Sequence, residues 1–556
     1  MQIVLMYISF HHEAPKIQPE SKTIHQGRRC HRCRSDCFCR SYGRGANPVG
    51  PNGGRGRRRS RRLRPSSSNH GARQGASVIV IDANHDIGGH AMLSGGRVPL
   101  GGGTSLQKKY GIADSADQVY LDHTNHTNSE FRYCDRDLVR MWADENAATF
   151  EFLIENGVKF NDEKPEFVNG GTVPRLFVAQ VFSPDLNETI NGRPGSGIVR
   201  PLEKSARTKG IQILLNHKMT RIVRENPTSG RVLGITARFE NKDVALRATK
   251  GLILATGGHT SNVAFRRMFD PRLTEEYQVA GEPWTKQNAD GEMLAMDIGA
   301  SLWAASNQSN DAGRSVTKTR HIGVRYGYEN LRWDPKSPLF AQAGGSGLTV
   351  RSFQNLILVN QTGQRFWNEM DNSYRFLSAC LGTNGNLAHN GKANGGGPVW
   401  AIFDADGVTR EKWDPRPPNV DLNGWFFTAD TIVELAAKIK NPYQLQPVSS
   451  SVLEQTVNKY NSYVDAGKDP EFGKPAPMYK IQKPPFYAAW STPILHDSLT
   501  GLKINKKCQV MDRHAQVIPG LYACGETAGG FALHGLPRVI VFGRIAGREA
   551  AGAGSS

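Results

Sequence analysis

The chain has 556 residues, 38% hydrophobic and 8% aromatic, ordinary values for a globular protein long enough to build two or more cores. No window approaches 18 uninterrupted apolar residues, which argues against a membrane-spanning helix. The formal charge of +18 suggests a nucleic-acid binder until it is mapped: residues 1–75 hold 16 of the 69 Lys and Arg but only 3 of the 51 Asp and Glu, so the rest of the chain is nearly balanced.

The opening MQIVLMYISF is apolar, but no basic segment precedes it and no small-residue cleavage site follows, so it does not read as a signal peptide. The stretch GGRGRRRSRRLRP marks residues 1–75 as a basic arm, expected to be disordered and without a nucleic-acid partner. Cys30, Cys33, Cys37 and Cys39 lie in this arm near His25 and His31. Only three residues separate the CxxC from the CxC, too few for the hairpin or helix that zinc modules place between their ligand pairs, so no metal site is expected. Cys134, Cys380, Cys508 and Cys524 are scattered through the body, the pattern of a reducing compartment, and a cytoplasmic location follows as the expectation.

From Gly75 the texture changes. Val78 to Ile81 predicts a strand that ends on Asp82, followed by a glycine-rich loop containing Gly88, Gly89, Ser94, Gly95 and Gly96. An acid at a strand tip in that setting can accept hydrogen bonds from a ribose. Helical spacing follows in DRDLVRMWADENAATFEFLIENGV, and GIQILLNHKMTRIVRENPTSGRVLGITAR reads as hairpins. One sheet with strands near 78, 212, 221, 232 and 251 is expected. Its clearest member is GLILA: a continuous apolar run ending at Ala255, after which Thr256, Gly257 and Gly258 clear the carboxyl end of bulky side chains. In an open α/β sheet ligands bind at that end. Residues 305–490 then loosen into a Gly-, Asn- and Trp-rich unit that reads as an insertion. Order returns with the strand GLYACGE, carrying Gly525 and Glu526, and a glycine-rich loop through Gly535 leads to a helix starting near Leu536, with Pro537 in its first turn.

The ordered series VIVIDA, IGG, LSGG, GRVLGITAR, GLILATGG, ADGEMLAMDIGA, LVNQTGQRFWNE and PGLYACGETAGG…VFGRIAG resembles the fumarate reductase and succinate dehydrogenase flavoprotein family, whose relatives include L-aspartate oxidases and 3-ketosteroid Δ1-dehydrogenases. The resemblance spans about 75 to 551. It implies an α/β protein: a Rossmann-like FAD-binding domain (76–304 and 491–551) split by an inserted α+β capping domain (305–490), with catalysis where they meet. It further implies that the loops at Gly88–Gly89, Ser94–Gly96 and Ala255–Gly258 face FAD, that Glu526 bonds its ribityl chain, that Asp290 is a second acidic group on the flavin side, and that the helix after Gly535 aims its positive end at the flavin ring. Non-covalent FAD is expected: His90 lies near the place where succinate dehydrogenases attach flavin, but its spacing to Gly95 is one residue short.

Two departures from the family pattern matter. Family members open with a strand, a GxGxxG turn and a helix under the FAD pyrophosphate. Here the basic arm precedes Ser77 instead, so the first βα unit reads as missing or scrambled, as from a frameshift or a wrong gene model. At the other end, LHDSLTGL keeps His496 but places Asp497 where dicarboxylate enzymes of the family carry a second histidine. The loop FALHGLPR also lacks their asparagine–arginine pair. An anion gained and a cation lost disfavour a dicarboxylate substrate. The expected activity is therefore FAD-dependent dehydrogenation or enoyl-type reduction of a CH–CH bond beside a carbonyl in another organic substrate. Electrons would pass to or from an external partner, because no haem-attachment motif is present. The candidate catalytic residues are Arg351, Tyr374, Arg375, His496 and His534, with Arg365 set aside as a brace for the capping unit. The alternatives are an inactive remnant unable to hold FAD and a fumarate-type dicarboxylate reductase.

Overall fold

The computed structural model describes residues 3–8, 76–125, 134–168, 171–183, 192–309, 320–328, 331–371, 376, 379–380 and 396–552, with the backbone alone for 3–8 and 305–309. The chain divides into two compact units, Met1–Ser9 with Ser68–Ser556, and Phe10–Ser67; the second lies outside the described residues, as do the cysteines of the basic arm.

The first unit is built on a six-stranded sheet in the order Gln509–Met511, Val517–Ala523, Gly251–Ala255, Ile3–Ile8, Ser77–Ile81 and Gln212–Leu214. Val517–Ala523 runs parallel to Gly251–Ala255, and Ser77–Ile81 parallel to Gln212–Leu214. Between these pairs sits Ile3–Ile8, antiparallel to both neighbours, with Leu5 opposite Val80 on one side and Ile253 on the other. This corrects the expectation of an empty central slot. The slot is filled, by the apolar segment IVLMYI of the opening decapeptide, running in reverse. A six-residue apolar run suits a strand covered on both faces whichever way it points, because periodicity carries no direction. The strand begins opposite Ala255 and Ile81 and ends opposite Gly251 and Ser77.

The closing helix Leu536–Gly552 packs Val541, Phe542, Ile545 and Ala546 against a core shared with Leu252, Ile253, Leu254 and Leu521 of the sheet. Burying each such side chain contributes about 1.5–3 kcal/mol, enough to fix where the helix begins. Helix Arg136–Glu155, capped by the Asp135 carboxylate on the Leu138 amide, adds Leu138, Trp142 and Phe150 to the same core.

The strands near 221 and 232 do not join this sheet. Lys218–Arg224, Val232–Phe239 and Lys242–Arg247 form a separate antiparallel meander. Its first strand alternates buried Met219 and Ile222 with exposed neighbours, the one-sided pattern of a sheet with a solvated face.

Within 305–490 a four-stranded antiparallel sheet orders Ile357–Val359, Trp400–Asp404, Phe486–Trp490 and Phe426–Ala429. Helices Ile432–Lys438 and Ser450–Asp465 pack Leu435 and Leu453 with Trp400 and Trp490 on one face. Arg365 is buried there, paired to Glu369 at 2.8 Å and Asp469 at 3.0 Å, the bracing role its position suggests. Leu302–Ser309 and Asp497–Leu502 pair antiparallel and tie the chain on either side of this region together.

Candidate active site

At the tip of the Ser77–Ile81 strand Asp82 is 1% exposed. Its Oδ1 accepts the Asn84 amide at 2.9 Å, while Oδ2 has no hydrogen-bond partner among the described residues. Burial raises this carboxyl to about 7. A buried acceptor without a donor is costly, and a ribose hydroxyl would satisfy it. Beyond the tip the backbone turns through Gly88 at φ +89° and Gly89 into the short helix Gly89–Leu93, and Ser94 Oγ accepts the Gly96 amide at 3.3 Å. A Cβ on Gly88 would lie 2.6 Å from Val199, so the loop is closed against helix Ser196–Thr208; Gly95 continues it.

The end of Gly251–Ala255 is cleared for a different reason. Gly257 adopts φ +82°, and a Cβ on Gly258 would fall 1.8 Å from Ser498 Oγ and 2.8 Å from Glu526 Oε2. Thr256 meets Thr527 hydroxyl to hydroxyl at 3.2 Å, and Thr527 donates to the Gly257 carbonyl at 2.9 Å. The strand ends Ala255–Gly258 and Gly525–Thr527 are thus laced together with Glu526 between them. The buried Glu526 carboxylate accepts Gln287 Nε2 at 2.8 Å, and its Oε1 lies 3.8 Å from His90 Nδ1.

Next to Glu526 stands a chain of polar groups. Tyr328 Oη lies 2.7 Å from His496 Nε2. His496 Nδ1 makes an ion-pair contact of 2.8 Å with Asp497 Oδ1, at an angle away from the hydrogen-bond direction because the two residues are adjacent in sequence. Asp497 Oδ2 lies 2.7 Å from His534 Nδ1 and accepts the Gly535 amide at 3.0 Å, at the start of the helix that begins with Leu536. Burial alone would push the Asp497 carboxyl up; the two imidazoles outweigh it and hold the group well below the usual carboxylate range. The His496 ring is 4.8 Å from His90 and 4.5 Å from His534. Only His534 of these reaches the surface, its side chain 30% exposed. Donor atoms of His496, Asp497 and His534 lie within 4.8 Å of one another, close enough for a cation, yet they already engage each other.

The structure thus brings His496 and His534 together with His90 of the glycine-loop helix, which lies beside Glu526, and with Gly535 at the start of the Leu536 helix, while no described contact joins Asp82 to them. Arg351 is exposed, bonded through its amide and guanidinium to Glu411, and no described contact joins it to the histidines. Asp290 opens helix Asp290–Asp297, 3.6 Å from Lys218 Nζ. Tyr374 and Arg375 lie outside the described residues. Sequence reasoning missed Tyr328 and Gln287, neither of which sits in a recognisable motif. It also missed Glu292, which is fully buried beside His259 with both carboxyl oxygens lacking hydrogen-bond partners among the described residues.

These residues fit FAD at both ends: the orphaned Asp82 oxygen at the ribose, Glu526 and the Leu536 helix terminus at the ribityl and ring end. The pattern of the family described as "FAD binding domain" matches residues 68–308 and 314–537. The urocanate reductase of Eggerthella lenta is 28% identical over 496 residues, covering 86% of this chain and 71% of that protein. The 3-oxosteroid 1-dehydrogenase of Mycolicibacterium smegmatis is 27% identical over 372 residues, 62% of this chain and 58% of that one. In fold, the open conformation of a flavocytochrome c3 fumarate reductase superimposes with a TM-score of 0.61 at 24% identity, over 86% of this chain and 75% of that one. Among the described residues no helix is long and apolar enough to cross a membrane. With a family match across most of the chain, the protein belongs to the FAD-binding flavoproteins of the fumarate reductase and succinate dehydrogenase type, as a FAD-dependent oxidoreductase acting on CH–CH bonds.

Proposed function

We propose that the protein dehydrogenates or reduces a carbon–carbon bond beside a carbonyl in an organic substrate other than a dicarboxylate, with His534 moving the substrate proton. FAD, when bound, supplies the two-electron chemistry. The observation that carries this reading is the Asp497–His534–Gly535 contact. Asp497 stays ionised where dicarboxylate enzymes of the family present a cation. It repels a substrate carboxylate at that spot while fixing the tautomer and orientation of His534, so that the other imidazole nitrogen is the one that exchanges a proton. His496, tied to Tyr328, continues the polar chain inward and orients the carbonyl. Tyr374 and Arg375 stay proton-transfer candidates on the resemblance of RFWNEMDNSYRF to the family motif. An external redox partner completes the cycle. Relatives that bear the names of urocanate reductase and 3-oxosteroid 1-dehydrogenase support a substrate outside the dicarboxylates. The test is a panel of enones, ketosteroids, unsaturated monoacids and fumarate, scored by flavin reduction and reoxidation. Fumarate turned over faster than every other member would overturn the proposal.

A further inference from the structure

The polar chain beside Glu526 is one bond short of complete. His496 is 6% exposed, and its Nε2 is engaged by Tyr328 Oη at 2.7 Å. Its Nδ1 lies 2.8 Å from Asp497 Oδ1, yet makes no hydrogen bond there or elsewhere among the described residues. Neither tautomer repairs this. With the proton on Nε2, an imidazole lone pair stands beside an ionised carboxylate and the two repel. With the proton on Nδ1, the donor is aimed off its acceptor and the bond is lost. On the other side of the same carboxylate, His534 Nδ1 lies 2.7 Å from Oδ2. A single anion is thus flanked by two imidazole nitrogens, and only one of them is well bonded to it.

A divalent cation satisfies all three groups at once. A ligand atom from each of His496, Asp497 and His534 lies within 4.8 Å of the others. Around zinc, with metal–ligand distances of about 2.0–2.2 Å, tetrahedral ligands stand roughly 3.3–3.6 Å apart, so the three need close by only on the order of 1 Å. His534 can supply that movement: its side chain is 30% exposed, and Gly535 after it adopts φ +79° with nothing within 4 Å of where a Cβ would stand. The other two ligands are already oriented from behind. Tyr328 holds the far nitrogen of His496, and the Gly535 amide donates to Asp497 Oδ2 at 3.0 Å, the kind of outer hydrogen bond that fixes a ligating imidazole or carboxylate. Two imidazoles and a carboxylate suit Zn²⁺, Ni²⁺ or Cu²⁺ rather than Mg²⁺ or Ca²⁺, and three protein ligands leave a position open. His90, Asp497 and Glu526 make a second such group, but in the FAD-loaded protein Glu526 faces the ribityl chain.

We infer that His496, Asp497 and His534 bind one divalent ion of the zinc class, which enters from the exposed side of His534, sends to solvent the proton held between His534 and Asp497, and so arrests the reaction reversibly. The metal site stands on the geometry; the inhibition rests on the proposed role of His534 in moving the substrate proton.

The experiment uses the full-length FAD-loaded protein after dialysis against a chelator, with Zn²⁺ in calorimetric titration and Co²⁺ as a spectroscopic probe. Because Cys30, Cys33, Cys37 and Cys39 can take up either ion, the reading is a difference. The wild type binds one equivalent more than His534→Gln or Asp497→Asn, and the equivalent lost carries no thiolate charge-transfer absorption in its cobalt form. His534 is partly exposed, so its variant reports even where the Asp497 variant fails to fold. Saturating Zn²⁺ slows flavin reduction or reoxidation by the best substrate about 10²-fold or more, as loss of a general acid–base group does, and EDTA restores the rate. Equal stoichiometry in the wild type and His534→Gln, or thiolate bands on every cobalt equivalent bound, overturns the site. An equivalent lost in His534→Gln whose occupation leaves wild-type turnover at the metal-free rate would instead leave the site standing and refute the part given to His534 in the reaction.

Discussion

Replacing Asp497 by Asn is the sharpest perturbation of the proton-moving group. The amide keeps the shape of the side chain but removes the charge that faces His534 at 2.7 Å, the Gly535 amide at 3.0 Å and His496 at 2.8 Å. A hydrogen bond to a charged group contributes about 1.5–3 kcal/mol, against about 0.5–1.5 for a neutral one. If the lost difference of about 1–1.5 kcal/mol at His534 is felt only as proton transfer proceeds, the step slows about 5- to 13-fold at 1.36 kcal/mol per tenfold, and a flipped His534 tautomer takes the loss toward the upper end of the 10² to 10⁴ usual for general acid–base catalysis. The assay is stopped-flow flavin reduction or reoxidation with the best member of the substrate panel, in water and in deuterium oxide. The variant shows a slower step and a larger solvent isotope effect with substrate affinity nearly unchanged. Stability gives a second readout. Because the folded carboxyl sits below its unfolded value, Asp497 contributes stability that is present above about pH 4 and lost as the pH falls below it; the variant flattens that acid limb. Wild-type speed with an unaltered isotope effect would refute the role assigned to the Asp497–His534 pair.

Glu526→Ala weakens FAD retention by about 10- to 100-fold while melting changes little, since each charge-assisted bond to a ribityl hydroxyl contributes about 1.5–3 kcal/mol; a fluorescence titration giving the wild-type constant would exclude that contact. Glu292→Gln stabilises the protein at neutral pH: burial holds the wild-type carboxyl far above its ordinary value, so its folded-state proton favours the fold less and less as pH rises above about 4.5, and the variant removes that slope. A melting temperature that drops in the variant at pH 7 would show that the buried acid has a partner its surroundings do not reveal. Leu5→Pro removes a ladder amide from the central strand and costs about 1–3 kcal/mol for each buried group left unpaired. Unchanged melting and unchanged FAD stoichiometry in this variant would mean that another segment occupies the slot.

The cofactor end was legible because its requirements are local. A strand buried on both faces must be apolar, and its end must be small where backbone approaches a ligand, so GLILATGG and GLYACGE announce themselves without tertiary knowledge. The histidine cluster was half legible: Asp497 was visible as a departure, but its partner His534 lies 37 residues on, and Tyr328 lies 168 residues before His496. No periodicity links such positions. The meander stands apart from the main sheet for a reason its burial pattern carries: exposed residues interrupt Lys218–Arg224, whereas every residue of Gly251–Ala255 is buried. The central strand was not legible because an apolar hexapeptide such as IVLMYI carries neither a direction nor an address, and it lies about 70 residues from the Ser77 strand that it pairs with in the antiparallel sense.

That reversed strand also sets the order in which the protein can be assembled. The parallel pairs on either side of Ile3–Ile8 meet only through its backbone, so until it docks the sheet exists as two halves, each with an open edge. One docking edge, Gly251–Ala255, follows the strand by about 250 residues. On a ribosome adding roughly 5–20 residues per second, IVLMYI waits on the order of 10 to 50 s for that partner to emerge. Throughout that interval it is an unpaired apolar segment of high β-propensity, the kind that recruits neighbouring chains. Yield during synthesis therefore depends on how well this hexapeptide is shielded, and slowing translation between it and Gly251 lengthens the hazard without altering the finished fold.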